Sequence, residues 1–172
     1  AGKTTFFNLL IGEYEATYGN IVFQGEDITD TKPHQRVEKG LGRVFQITNI
    51  FPDLTTFENV RLATQGLEVR SVSGLLSPAD DNEALRSQAE SILGRIGLLE
   101  NKDMPAKNLA HGDKRRLEIG MALALEPEIL LMDEPTAGLP DTEIHDVTQL
   151  ISEIAKEYSI VLVEHKMDLV MD

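Results

Sequence analysis

Gly2-Lys3-Thr4-Thr5 places a flexible backbone position, an ammonium group and two hydroxyls in consecutive residues. In that order they match the closing positions of GxxxxGK[ST]. In that loop backbone N–H groups cradle phosphates, the lysine reaches the β- and γ-phosphates and the hydroxyl reaches Mg2+. The ligand class implied is a nucleotide polyphosphate with magnesium. A second chemical group lies far downstream. Ile129-Leu130-Leu131-Met132-Asp133-Glu134 is an apolar run that delivers two carboxylates at its end. Asp133 suits the magnesium side, acting through a bound water, and Glu134 suits proton abstraction from an attacking water. The plain alternative is a solvated Asp-Glu turn, and the upstream loop residues weigh against it.

A phosphate loop of this kind needs a strand before it and a helix behind it. Phe6, Phe7, Leu9, Leu10 and Ile11 supply a continuously apolar helix, with Gly12 as its C-cap. Its N-terminal N–H groups and positive dipole end would face the phosphates. No strand precedes Ala1, so the reading expects the chain to be a piece of a longer protein, cut at both ends.

Further along, Tyr18-Gly19-Asn20 is a turn leading into a strand at Ile21-Val22-Phe23, followed by Gly25, and a second strand is expected from Leu41 to Phe45, ending at Gln46. Thr55 with Glu58 three positions later fits a capping box that opens a helix through about Gln65. Gly66 to Pro78 reads as a loop or irregular insert. From Ala79 the pattern is helical, with Leu85, Ala89, Ile92 and Ile96 on one face and Gly97 at the end. Another helix is expected from about Asp113 to Leu125, then a buried-type strand at Ile129–Met132. A helix with Ile144, Val147, Leu150, Ile151 and Ile154 on one face follows, with Asp141 as N-cap, and Ile160–Val163 is the last strand. Strand and helix alternate at both ends around a helical middle. The class is α/β, a mostly parallel sheet flanked by helices with an inserted helical subdomain.

The 172 residues suffice for one ordinary domain with a substantial core. Sixteen Lys and Arg against 29 Asp and Glu give a net charge of −13, which argues against nonspecific nucleic-acid binding. A local basic patch stays open, and Lys114-Arg115-Arg116 is one candidate for it. With no cysteine there is neither a disulfide framework nor a cysteine-based zinc site. No stretch approaches the roughly 18 to 20 apolar residues that span a bilayer.

Taken in order and spacing, these motifs resemble the ATP-binding (nucleotide-binding) subunits of ATP-binding cassette (ABC) transporters, along essentially the whole chain. Gly2, Lys3, Thr4 and Thr5 fall in the family's Walker A loop and Ile129 to Glu134 in its Walker B. Gln46 sits where the family places its Q-loop glutamine. Leu109-Ala110-His111-Gly112-Asp113 matches the LSGGQ signature, Ala137-Gly138-Leu139-Pro140 falls at the D-loop, and His165 is the switch histidine. There are departures. Ala110 replaces the signature serine, whose hydroxyl would bond a γ-phosphate. His111 replaces a glycine, Asp113 stands for the glutamine, and Pro140 replaces the D-loop aspartate. This variant signature looks like those of the ATPases serving branched-chain amino-acid uptake.

The resemblance implies a P-loop NTPase core at 1–65 and 126–172, with a helical subdomain carrying the signature at about 66–125. It implies ATP and Mg2+ as cofactors, with Thr4, Gln46 and Asp133 on the metal side, and Glu134, His165 and Gln46 as catalytic residues. Gly2, Lys3, Thr4 and Thr5 of one subunit and Ala110, His111, Gly112 and Asp113 of the other would sandwich each ATP in a homo- or heterodimer. The partners implied are transmembrane permease subunits, on the cytoplasmic face of the membrane, and no nucleic acid. Residues from about Ile47 to Phe57, with Ile50 and Phe51 exposed, are the candidate permease contact; a core role for those two is the alternative. Two other functions stay open at this point: a soluble cassette ATPase acting on ribosomes or DNA, and a fragment that folds or binds without turnover.

Overall fold

Leu41–Val44 (β3), Ile129–Asp133 (β4) and Ser159–Val163 (β5) form a parallel sheet in the order β3-β4-β5, in a computed structural model that describes residues 2–44, 50–68 and 83–164. Gly42 lies opposite Leu130, and Leu130 opposite Ile160. The central strand is buried on both faces, which is why its sequence is an unbroken apolar run instead of an alternating one. Leu131 faces Phe7 and Ile11 of α1 (Lys3–Ile11). Leu130 and Met132 enter the larger core with Val44, Leu117, Ile119 and Val147. Burial of each such side chain contributes about 1.5–3 kcal/mol, so β4 is anchored from both sides.

The last turn of α1 is fastened by a buried cation. Arg36, on the short helix α2 (Pro33–Glu38), donates from Nη1 to the carbonyls of Leu9 and Leu10 at 2.6 and 2.7 Å. The same guanidinium reaches the carbonyls of Thr29 and Thr31 at 2.7 and 3.0 Å. Gly12 closes α1 at φ 81, as expected; a side chain there would meet both this left-handed backbone and the Arg36 guanidinium. Phe7 and Ile11 pack α1 on Leu131, with Leu10, Ile129, Val161 and Val163 beside them, so the fastened helix lies against β4 and β5.

Between β3 and β4 the chain builds a helical layer. α3 (Thr56–Glu68) packs on α4 (Glu83–Arg95) and α5 (His111–Leu123). The expected capping box forms: the Thr55 N–H donates to Glu58 Oε2 at 2.7 Å and the Glu58 N–H to Thr55 Oγ1 at 3.1 Å. These bonds from Thr55 hold the Glu58 carboxyl below its ordinary pKa. The expected faces are buried: Leu85, Ala89, Ile92 and Ile96 on and just beyond α4, and Ile144, Val147, Leu150, Ile151 and Ile154 on α6 (Asp141–Ile154). No helix among the described residues is long and apolar enough to cross a membrane.

Some local expectations differ. The strand near residue 22 is β1 (Val22–Phe23), half of a hairpin with β2 (Glu26–Asp27). Gln24 and Gly25, both at positive φ, make the two-residue turn whose twist suits antiparallel strands. α3 runs to Glu68 instead of about Gln65, so Gly66 to Glu68, expected in a loop, are helical. α5 begins at His111, not Asp113, which puts the signature residues in its first turn. Asp141 is the first helical residue of α6 rather than its N-cap; Pro140, in extended conformation, holds the cap position. Proline suits that place because it has no N–H to leave unpaired. The expected helix start at Ala79 and the loop residues 69–78 lie outside the described residues.

Candidate functional site

At the first turn of α1, Gly2 has φ 91 and its carbonyl accepts from the Phe6 N–H at 2.9 Å. No side chain caps this end and no acidic residue lies in the first turn. A helix of this length leaves its first N–H groups without intrahelical acceptors. Thr4 and Thr5 are exposed and Lys3 is half-buried, so ammonium, hydroxyls and amides all stand at one helix end. The arrangement attracts anions through both geometry and dipole.

β4 delivers Asp133 and Glu134 at its C-terminal end. Asp133 is buried, and its Oδ2 has no hydrogen-bond partner. A buried carboxylate oxygen left without a partner is costly unless a cation or water satisfies it. Together with the Thr4 hydroxyl it offers the hard oxygen donors that magnesium prefers, so the residues present fit this ion. The described residues hold no cluster of three or more His, Cys, Asp or Glu able to bind a metal.

Glu134 adopts φ 49, a left-handed conformation uncommon for a residue with a side chain. Its N–H donates to the Val163 carbonyl at 2.7 Å and its carbonyl accepts from Ala137 N–H at 3.0 Å. The following residues are tied down as well. Thr136 donates from N–H and Oγ1 to Glu164 Oε1 at 3.0 and 2.7 Å, and the Pro135 carbonyl accepts from Arg115 Nε at 2.8 Å. The carboxylate turn is therefore held by β5 on one side and α5 on the other.

The signature residues open α5. Ala110 is the N-cap and makes no side-chain cap bond, as its methyl group requires. Instead Glu143, in the first turn of α6, accepts from the Gly112 N–H. A Cβ at Gly112 would press on the Glu143 side chain, at 2.9 Å from Oε2. Asp113 pairs with Arg116 at 3.0 Å, and His111 is exposed. Lys114-Arg115-Arg116 is not a basic patch: Arg115 is buried against Glu118 at 2.7 Å, and Arg116 is engaged by Asp113.

Of the sequence-derived residues, the structure assembles Gly2, Lys3, Thr4 and Thr5 on one helix end, Asp133 and Glu134 on one strand end, and Ala110 to Asp113 on another helix end. Gln46 and His165 lie outside the described residues. Ile50 is partly buried against the main core, which favours the core alternative for it, while Phe51 is half-exposed. Buried Asn59 holds the Phe51 backbone, accepting from its N–H at 2.7 Å and donating to its carbonyl at 3.0 Å. Sequence reasoning missed Arg115, Thr136, Glu143 and Glu164, whose contacts span 20 to 31 residues.

The family described as ABC transporter matches residues 1–137. The high-affinity branched-chain amino acid transport ATP-binding protein LivG of Escherichia coli (strain K12) is 41% identical over 178 residues, covering 99% of this chain and 69% of that protein. The ribose import ATP-binding protein RbsA of Streptococcus agalactiae is 34% identical over 98% of this chain and 33% of its own length. Among solved structures, the ADP conformation of MJ1267, an ATP-binding cassette of an ABC transporter, superposes with a TM-score of 0.82 at 29% identity, covering 98% of this chain and 68% of that one. The chain belongs to the ABC transporter family, as one of its ATP-binding cassette ATPases.

Proposed function

We propose that this chain hydrolyses ATP to drive import of a small solute, branched-chain amino acids in the first place, through transmembrane permease subunits. The observation that carries the ATPase reading is the end of β4, where the buried Oδ2 of Asp133 lacks a hydrogen-bond partner and Glu134 sits in a fixed left-handed turn, on the strand against which α1, the helix of Lys3, Thr4 and Thr5, packs. Similarity to LivG over nearly the whole chain supports the cargo.

In this reading Lys3 neutralises the β- and γ-phosphates, while Thr5 and the first amides of α1 hold the α- and β-phosphates. Thr4 and Asp133, with Gln46, would hold Mg2+, which when bound neutralises charge on the β- and γ-oxygens. Glu134 accepts a proton from the water attacking the γ-phosphorus, and ADP leaves with phosphate as the other product. His165 and Gln46 orient the γ-phosphate and that water.

Ala110, His111, Gly112 and Asp113 face the nucleotide of a second cassette, identical or not, so the active form is a dimer. With Ala110 in place of serine, the signature contact rests on the backbone N–H groups at the start of α5. The domain division follows the motifs: 1–65 with 126–172 as the nucleotide core, about 66–125 as the helical subdomain. The permease contact includes Phe51, an exposed aromatic ring on a backbone fixed by Asn59. The subunit sits peripherally on the cytoplasmic face of the membrane.

The cargo is tested by reconstituting the full-length protein with its permease subunits in proteoliposomes and following radiolabelled leucine and ribose. ATP-dependent accumulation of leucine and not ribose is expected. Accumulation of ribose alone would overturn the amino-acid assignment while leaving the ATPase assignment intact.

A further inference from the structure

Helix α5 grips the segment after β4 at two points. Its first turn holds Glu143 through the Gly112 N–H. One turn further on, Arg115 Nε donates to the Pro135 carbonyl at 2.8 Å, and Arg115 Nη1 pairs with Glu118 at 2.7 Å. Arg115 is 7% exposed, so this is a fixed interior contact rather than a surface arginine that happens to lie nearby. Its target is specific. Pro135 has no N–H, so its carbonyl is the sole backbone hydrogen-bonding group in the residue next to Glu134. Glu134 itself is held at φ 49, a conformation that persists only where surrounding contacts over-determine it.

We propose that Arg115 is a positioning residue for hydrolysis: by holding the Pro135 carbonyl it sets the direction of the Glu134 side chain and ties that direction to the placement of α5. The proposal rests on the reading of Glu134 as the base. Its consequence is a route between sites. The same helix carries Ala110 to Asp113 at its start, so a phosphate engaged there acts, through Arg115, on the base of the same chain. Arg116 has no such reach, since its guanidinium pairs with Asp113 at 3.0 Å and lies beside Gly97.

The test is a double-mutant cycle in the full-length protein. Arg115→Lys keeps a cation beside Glu118 but loses the planar, side-on Nε donor. Its kcat is expected to fall roughly 10- to 100-fold, the scale of a small misplacement of a reacting group. KM for Mg-ATP should change less than about threefold, and the thermal midpoint should stay within about 4 °C. In a Glu134→Gln background the same substitution should alter the residual single-turnover rate less than about twofold, because the group it aims is already disabled. A wild-type rate for Arg115→Lys, or an equal loss in both backgrounds, overturns the proposal and leaves Glu134 as base. A wild-type rate for Glu134→Gln alone removes the base reading, and this proposal with it. If Arg115→Lys does not fold, Arg115→Met/Glu118→Met, which removes both buried charges together, carries the same two expectations.

Discussion

Glu134→Gln is expected to lower the steady-state rate of ATP hydrolysis roughly 100- to 10,000-fold, the range over which a positioned general base contributes. The substitution is nearly isosteric but leaves no group able to accept the proton of the attacking water. The fold should be indifferent to it. What holds residue 134 in its left-handed conformation is main-chain bonding: its N–H to the Val163 carbonyl at 2.7 Å and its carbonyl from the Ala137 N–H at 3.0 Å. Mg-ATP binding should likewise persist, since Lys3, Thr4 and the first turn of α1 are untouched. Hydrolysis measured by phosphate release, beside binding measured on the same preparation, separates the two effects. An unchanged hydrolysis rate would remove Glu134 from the chemistry.

Arg36→Met carries the largest expected cost in stability, about 3–5 kcal/mol. The side chain is almost wholly buried, at 2% exposure, and its guanidinium satisfies the carbonyls of Leu9, Leu10, Thr29 and Thr31. Methionine fills much of the volume but leaves those carbonyls without their donor. Two of them end α1, where a cation also complements the dipole. Burial lowers the guanidinium's pKa and the charge of Asp30 opposes that shift, yet an arginine stays charged at any pH used for folding work. The thermal midpoint should therefore fall by roughly 10 °C. Arg36→Lys, able to reach fewer of these acceptors, should lie between the two. A loss below about 1 kcal/mol for Arg36→Met, the scale of an ordinary substitution, would mean that water replaces the guanidinium without strain.

The elements readable in the sequence are those whose cause is local. The apolar run of β4, the Thr55–Glu58 box and the Gly12 cap each depend on residues within a few positions, and each forms as read. α6 is legible through its buried stripe, though it starts one residue earlier than its sequence suggests because Pro140 takes the cap. α2 is invisible to periodicity. It offers the core a charged side chain, Arg36, where the pattern looks for apolar ones. β2 is hidden for the opposite reason, since Glu26 and Asp27 are both exposed and present no buried face.

The same division applies to the site. Lys3, Thr4, Asp133 and Glu134 stand in contiguous strings that chemistry alone explains. Arg115, Glu143 and Glu164 act on backbone groups 20, 31 and 28 residues away, and no local pattern marks them. In sequence Arg115 looks like part of a basic patch because adjacent positive residues look alike, and burial separates them. The departures in the signature also change meaning in three dimensions. Ala110 cannot cap α5, and Glu143 of the neighbouring helix takes over one of the N–H groups.

The central claim, a nucleotide polyphosphate held at the first turn of α1, is tested most directly by titrating Mg-ATP calorimetrically into the full-length protein and its Lys3→Ala variant. Saturable binding by the wild type, weakened roughly tenfold or more when the ammonium is removed, is the expected result. Equal affinity in both proteins, or no binding in either, would contradict it.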